Sequence, residues 1–246
     1  MGTTAGNANL RIGVLEKSKT TLPTIAPPAN STTATPGVEA PKHWHSRGYL
    51  PHFDSPTAIQ HVTLHLADSL PNEALAKIEA DLKTMPDEAQ NAARRKQLEA
   101  WIDAGHGSCL LREPRWAALM QNTLLHHDSE RYHLFAWVVM PNHVHALFQP
   151  LNDWSVPKIV STWKKYTATQ IAKAPGNAGS PGNANLRIGD KRSPIWHREY
   201  WDRYIRNEAH FQQAISYIHQ NPSKAGLAPR PEDWPYSSAA IQSPMR

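Results

Sequence analysis

An α+β fold with antiparallel strand pairing is what this 246-residue chain predicts, on three observations. Segments alternating with period two are interspersed with segments of helical period. Two strand-like segments, Tyr132–Val139 and Val144–Phe148, are joined by the short Met140-Pro141-Asn142 step, which suits a tight hairpin connection. A 40% apolar content with nine Trp is enough to build a core. Strands and helices mixed with a hairpin fit α+β better than a doubly wound parallel sheet.

The elements follow in chain order. His61–Leu66 (HVTLHL) alternates and reads as a strand. Asn72–Lys83 and Asp87–Ile102 read as helices, with Pro71 and Pro86 near their starts, and Pro114–Asn122 as a third. Tyr132–Val139 is rich in β-branched and aromatic residues, as a strand should be. Ser155–Lys173 is the clearest helix: Ser155 stands where an N-cap belongs, and Pro157 falls in the first turn, where its missing N–H costs nothing. Val156, Ile159, Val160, Trp163, Thr167 and Ile171 give that helix its buried face. Glu208–Gln220 is a second amphipathic helix, built on Phe211, Ile215 and Ile218 and expected to end before Asn221-Pro222.

The length suits one domain with appendages, or two small ones. Residues 1–42 hold five Pro among Thr, Ala, Asn and Gly with no periodicity, so a disordered leader is expected, followed by a domain over 43–239 and a tail over 240–246. The longest apolar run, Leu134–Met140, has seven residues, far short of the ~20 a spanning helix needs. No membrane segment is expected. The start MGTTAGNANL lacks a basic region followed by an apolar one, and the single Cys109 excludes an intrachain disulfide framework. A reducing, cytoplasmic setting follows.

The net charge of +5 is unevenly placed. Residues 151–230 carry 12 basic and 5 acidic side chains, whereas residues 1–150 carry 13 and 14. The basic stretch also holds Trp154, Trp163, Trp196, Trp201, Tyr166, Tyr200, Tyr204 and Tyr217. Basic side chains attract a phosphate backbone and aromatic faces stack on unpaired bases. A solvated helix face with core aromatics gives the same composition, so both readings stand on composition.

An identical octapeptide, GNANLRIG, occurs at Gly6–Gly13 and Gly182–Gly189. Two copies this far apart cannot stack as a solenoid. The second lies in an aperiodic stretch, expected to be a flexible inserted loop at 174–194. A short DNA element taken up twice in frame, where a loop tolerates it, accounts for the pair.

His143-Val144-His145 places two imidazoles on one face of a strand, within reach of one divalent cation. Spacing is poor evidence in a chain with 14 His; His43-Trp44-His45 repeats it in the leader. Only the setting favours a ligand pair over structural histidines. Tyr166 and Gln170, four apart, share a helix face with Lys173 a turn further on. A phenol beside a His-held cation has what attack on a phosphodiester needs. A partly buried aromatic at a helix edge is the other reading of Tyr166.

The run Val138–Leu147 (VVMPNHVHAL) resembles the signature of the single-tyrosine (Y1) transposases, the IS200-like HUH enzymes. Trp163–Ala168, Trp196–Arg206 and Tyr217–Leu227 with Glu232–Ser238 resemble the branch known as REP-associated tyrosine transposases. The likeness runs from about Arg47 to Ala239, apart from the loop. It implies a ferredoxin-like antiparallel sheet with helices on one face, and a helical DNA-binding C-terminal segment. It implies His143 and His145 as metal ligands, Gln170 as the third, Tyr166 as nucleophile, and Mg²⁺ or Mn²⁺ as cofactor. Trp196, Arg198, Arg203 and Arg206 fall in the block near bound DNA; Lys164, Lys165, Lys173 and Lys224 join them as expected DNA contacts. The implied activity is cleavage and rejoining of single-stranded DNA at hairpin-forming, REP-like repeats through a 5′-phosphotyrosine, by a homodimer or a monomer. A long leader, an expanded loop after Lys173, and Trp201 where Phe is frequent depart from the pattern. A hairpin-binding protein that does not cut, or a hydrolase using water, remain the alternatives.

Overall fold

The computed structural model describes residues 44–46, 51–53, 55, 57–83, 85–174 and 194–242. Both octapeptides, the whole expected leader (1–42) and nearly all of the 174–194 loop lie outside the described residues. The elements are β1 (Trp44–Ser46), β2 (Pro51–Phe53), β3 (Gln60–His65), α1 (Asn72–Leu82), α2 (Asp87–Asp103), α3 (Pro114–Leu125), β4 (Tyr132–Val139), β5 (His143–Pro150), α4 (Val156–Lys173), β6 (Trp201–Tyr204), α5 (Glu208–Lys224) and α6 (Ser238–Gln242). No helix among the described residues is long and apolar enough to cross a membrane.

β4, β5, β3 and β6 form one sheet in that order, every neighbouring pair antiparallel. In chain order this is 2-3-1-4, the ferredoxin-like arrangement, and β1 and β2 make a separate two-stranded ribbon. β5 is the pivot. Its even row, Val144, Ala146 and Phe148, packs with Trp116, Met120 and Leu124 of α3 and Ile159, Val160 and Trp163 of α4. The Trp163 indole N–H donates to the Tyr132 hydroxyl at 3.0 Å, so the largest buried side chain there leaves no unpaired donor.

The odd row of β5 faces the other way, where Leu147 packs with Val138, Met140 and Phe211, Ala214 and Ile218 of α5. Helices on one face are therefore half of the arrangement: α3 and α4 cover one side, α5 the other. The cause is in β5, whose rows each need cover. The α1–α2 pair packs on β6, with Ile102, Leu98 and Ile78 gathered on Trp201.

Several elements differ from expectation. α5 runs through Pro222 to Lys224 and stops at Gly226, whose φ of +69° suits glycine. Proline removes one donor in the last turn but does not break it, and Asn221 stays in helical register. β6 is unforeseen, because four residues flanked by charge show no clear alternation. Trp44–Ser46, which takes in His45 of the His43-Trp44-His45 triplet, is a strand, and α6 extends past 239 into the expected tail. Ser155 occupies the N-cap of α4, but its side chain makes no capping bond.

Candidate active site

His143 and His145 point from β5 toward α5, and α2 ends above them. Asp103, the last residue of α2, puts Oδ1 3.4 Å from His143 Nε2 and 4.0 Å from His145 Nε2. These three ligand atoms lie within 4.8 Å of one another, the one such cluster of His, Cys, Asp and Glu among the described residues.

The turn before β5 sets the tautomer of His143. The Asn142 amide nitrogen donates to the carbonyls of Ile102 (3.0 Å) and His106 (3.1 Å), which leaves its oxygen to accept from His143 Nδ1 at 2.8 Å. The proton is then on Nδ1 and Nε2 is bare. The same amide ties the end of α2, and hence Asp103, to the strand. His145 Nδ1 lies 2.9 Å from Thr63 Oγ1 across the β3–β5 pair, and the Asn221 amide lies 3.3 Å from its Nε2.

Burial pushes the His143 imidazole down to about 3 and holds that of His145 well below its ordinary range, with His143 and His61 adding to the effect. Both are neutral at pH 7. Burial raises the Asp103 carboxyl, and hydrogen bonds from Tyr217 and Asn221 and the charge of Lys224 offset part of that. His143 Nε2 and Asp103 Oδ1 are buried without a hydrogen-bond partner. Two neutral imidazoles held from behind and a carboxylate, with orphaned lone pairs converging, fit a divalent cation.

The phenol beside this cluster belongs to Tyr217. Its hydroxyl donates to Asp103 Oδ2 at 3.1 Å, and its ring lies 5.2 Å from the His145 ring and 5.8 Å from that of His61. Burial and the nearby Asp103 raise its pKa. Lys224, one of the expected DNA contacts, holds its ammonium 5.7 Å over the Tyr217 ring. Tyr217 and Asn221 are four apart on α5, so both face the His pair.

Tyr166 and Gln170 are not brought to the pair. α4 packs on the opposite face of the sheet, and Tyr166, 49% exposed, borders a cavity of about 340 Å³ with Asn122 of α3 and His126 just beyond its end. The physical reason is the apolar face of α4, which needs Val144, Ala146 and Phe148, the row turned away from the histidines.

The expected DNA contacts divide as well. Lys165, Lys173, Arg198, Arg203, Arg206 and Lys224 are exposed. Trp196 is buried and donates to Thr167 Oγ1 at 2.9 Å, so it braces the core instead of offering a stacking face. Lys164 is engaged inward: its ammonium donates to the carbonyls of His197, Arg198 and Glu199 at 3.0 to 3.2 Å, and burial lowers its pKa to about 8.

Residues 113–221 match the family model described as "Transposase IS200 like". The matched segment takes in the His pair and closes on Asn221. A Haemophilus influenzae protein provisionally named a REP-associated tyrosine transposase is 33% identical over 101 residues, 41% of this chain and 54% of its own length. The Escherichia coli REP-associated tyrosine transposase is 28% identical over 111 residues, 44% of this chain and 54% of its own. The chain thus spans about half the length of the curated relatives it matches. A solved structure of a REP-associated tyrosine transposase bound to a REP hairpin superposes with a TM-score of 0.48 at 18% identity, over 79% of this chain and 84% of that one.

Proposed function

From a chain whose residues 113–221 carry the IS200-like transposase pattern, we propose a metal-dependent single-stranded-DNA transesterase that cleaves and rejoins strands at hairpin-forming repeats of the REP kind. The observation that carries this reading is the Tyr217 hydroxyl, hydrogen-bonded to the carboxylate that also faces both His143 and His145.

In this reading Tyr217, not Tyr166, is the nucleophile. Its oxygen attacks the scissile phosphorus, and its proton passes to Asp103 Oδ2. The bond from phosphorus to the 3′-oxygen breaks, that oxygen takes a proton from solvent water to leave as a 3′-hydroxyl, and Asp103 returns the phenol proton to solvent. The 5′ end stays joined to Tyr217, so one phosphodiester is exchanged for another and no nucleotide triphosphate is consumed. Attack by a 3′-hydroxyl on the phosphotyrosine reverses the step and rejoins a strand.

Asp103, His143 and His145 would hold the cation, with Asn221 as neighbour; Gln170 has no part. Two imidazoles and a carboxylate oxygen suit Mn²⁺ or Mg²⁺, which neutralises charge on the phosphate and polarises it. Asn142 and Thr63 keep the imidazoles oriented. Chromosomal repeats as substrate put the protein in the cytoplasm, at the nucleoid. The domain of this activity would be 43–239, with the loop at 174–194 an appendage.

Incubation with an end-labelled hairpin oligonucleotide and Mn²⁺, resolved on denaturing gels, tests the assignment. A covalent adduct that survives Tyr166→Phe and vanishes in Tyr217→Phe is expected. Adduct loss in Tyr166→Phe alone would return the role to α4. Cleavage surviving both substitutions would indicate water as nucleophile, and binding without an adduct under any metal a protein that holds hairpins uncut.

A further inference from the structure

Arg203 and Arg206 converge with His210 on a polar cavity of about 370 Å³, completed by Asn207, Ala209 and Gln213. Among the described residues, neither guanidinium forms an ion pair with a carboxylate. The Arg206 backbone N–H donates to His210 Nδ1 at 3.4 Å, which leaves the remaining ring proton on Nε2 as a donor. His210 is held below its ordinary pKa by burial and by both arginines, the mark of three donors gathered with no anion between them.

The cavity is aligned with the site around Tyr217. Arg203 is the register partner of His61 across the β6–β3 pair, so their side chains share a face, and the His61 ring lies 5.8 Å from that of Tyr217. Along the helix, Arg206, His210, Gln213, Tyr217, Asn221 and Lys224 recur at intervals of three and four, which forms one stripe on α5 and the turn before it. At 1.5 Å per residue, His210 lies about 10 Å from Tyr217 along the helix axis. Cations stand at both ends of the stripe and the phenol stands between them.

Resting on the reading of Tyr217 as nucleophile, we infer that the Arg203–Arg206–His210 cavity is a phosphate subsite of the substrate strand, holding a non-scissile phosphate a few nucleotides from the one attacked. Arginine suits the task because its fork binds two phosphate oxygens at once, whereas the exposed lysines act as point charges. The strand is thereby laid along α5, and the helix that carries the nucleophile also measures the distance to the next anchored phosphate.

Binding by Tyr217→Phe, uncut, is measured with single-stranded oligonucleotides in which one phosphate at a time, on either side of the cleavage point, is replaced by a neutral methylphosphonate. In this background one flanking position should weaken binding about tenfold. Adding Arg203→Gln and Arg206→Gln should weaken binding of the unmodified strand by a similar factor, erase the penalty at that position alone, and lower the slope of log affinity against log salt by about two. Equal penalties at all positions, or a penalty that persists without the arginines, overturns the subsite. If the Tyr217→Phe protein binds no single strand at all, the underlying DNA reading fails instead, which this experiment separates from failure of the subsite. Far-UV circular dichroism on the double arginine variant guards against misfolding.

Discussion

Placing neutral imidazoles in a dry site couples stability to pH. Burial disfavours the charged form of His143 and pushes its pKa from the ordinary 6.5 down to about 3 in the folded chain. Between those values the unfolded chain binds a proton that the folded chain refuses. Stability is therefore fully present above pH 6.5 and falls as pH drops toward 3, by about 1.4 kcal/mol per pH unit in mid-window. From pH 7 to pH 5 the loss from His143 integrates to about 2 kcal/mol. His145, and His65, which is also held low by burial, act in the same direction, so the whole protein should lose more. Urea unfolding followed by tryptophan emission, with chelator present to keep cations out of the balance, reads this directly. His143→Gln should reduce the loss between pH 7 and pH 5 by about 2 kcal/mol while leaving a slope from the others. A wild-type stability that is flat over this range, or a His143→Gln variant with an unchanged slope, would refute the reasoning.

Asn142→Ala removes the acceptor that orients His143 and the amide that ties down the end of α2. Mn²⁺ affinity, measured by calorimetry, should fall roughly 10- to 100-fold with the far-UV spectrum unchanged. Trp163→Ala opens a cavity between α4 and the sheet and removes the indole donor to the Tyr132 hydroxyl, which keeps its own bond to the Leu124 carbonyl; denaturant titration should show a loss of about 3–5 kcal/mol. Deleting Pro175–Asp190 shortens a connection whose closure cost varies only logarithmically with length, so unfolding free energy should change by less than about 1 kcal/mol. Loss of folded protein would mean the inserted segment contributes to the core.

The strand carrying the His pair was readable because period two is strict: residues 143 and 145 must share a face. Which tyrosine lies beside the histidines was harder to read, and Tyr217 was not singled out for it. Both are followed four residues on by an amide side chain, Gln170 or Asn221, and both border the apolar face of an amphipathic helix. The deciding signal was present in β5. Its even row is wholly apolar, and α4, with Trp163 and Ile159, demands such a partner; the histidines are then turned away from α4. What no local pattern carries is Asp103. It reaches the site from the end of a helix 40 residues upstream, held by the Asn142 bonds to Ile102 and His106. Lys164 was equally hidden, since an ammonium that folds inward onto three carbonyls has the same sequence appearance as one facing DNA.

The far edge of the sheet carries a last consequence. The residues after α5 lie along β4: Ser237 bridges to Val138, the Val139 N–H donates to the Tyr236 carbonyl at 2.8 Å, and the Trp234 indole N–H donates to the Val139 carbonyl at 3.0 Å. This stopper occupies backbone groups that would otherwise recruit another strand. A second copy of the chain cannot pair with the Trp137–Val139 end of β4 without first peeling the stopper away. The same arrangement makes truncation before Trp234 hazardous: it would uncover the backbone edge at Trp137, Val138 and Val139 and leave it open to pairing with another chain.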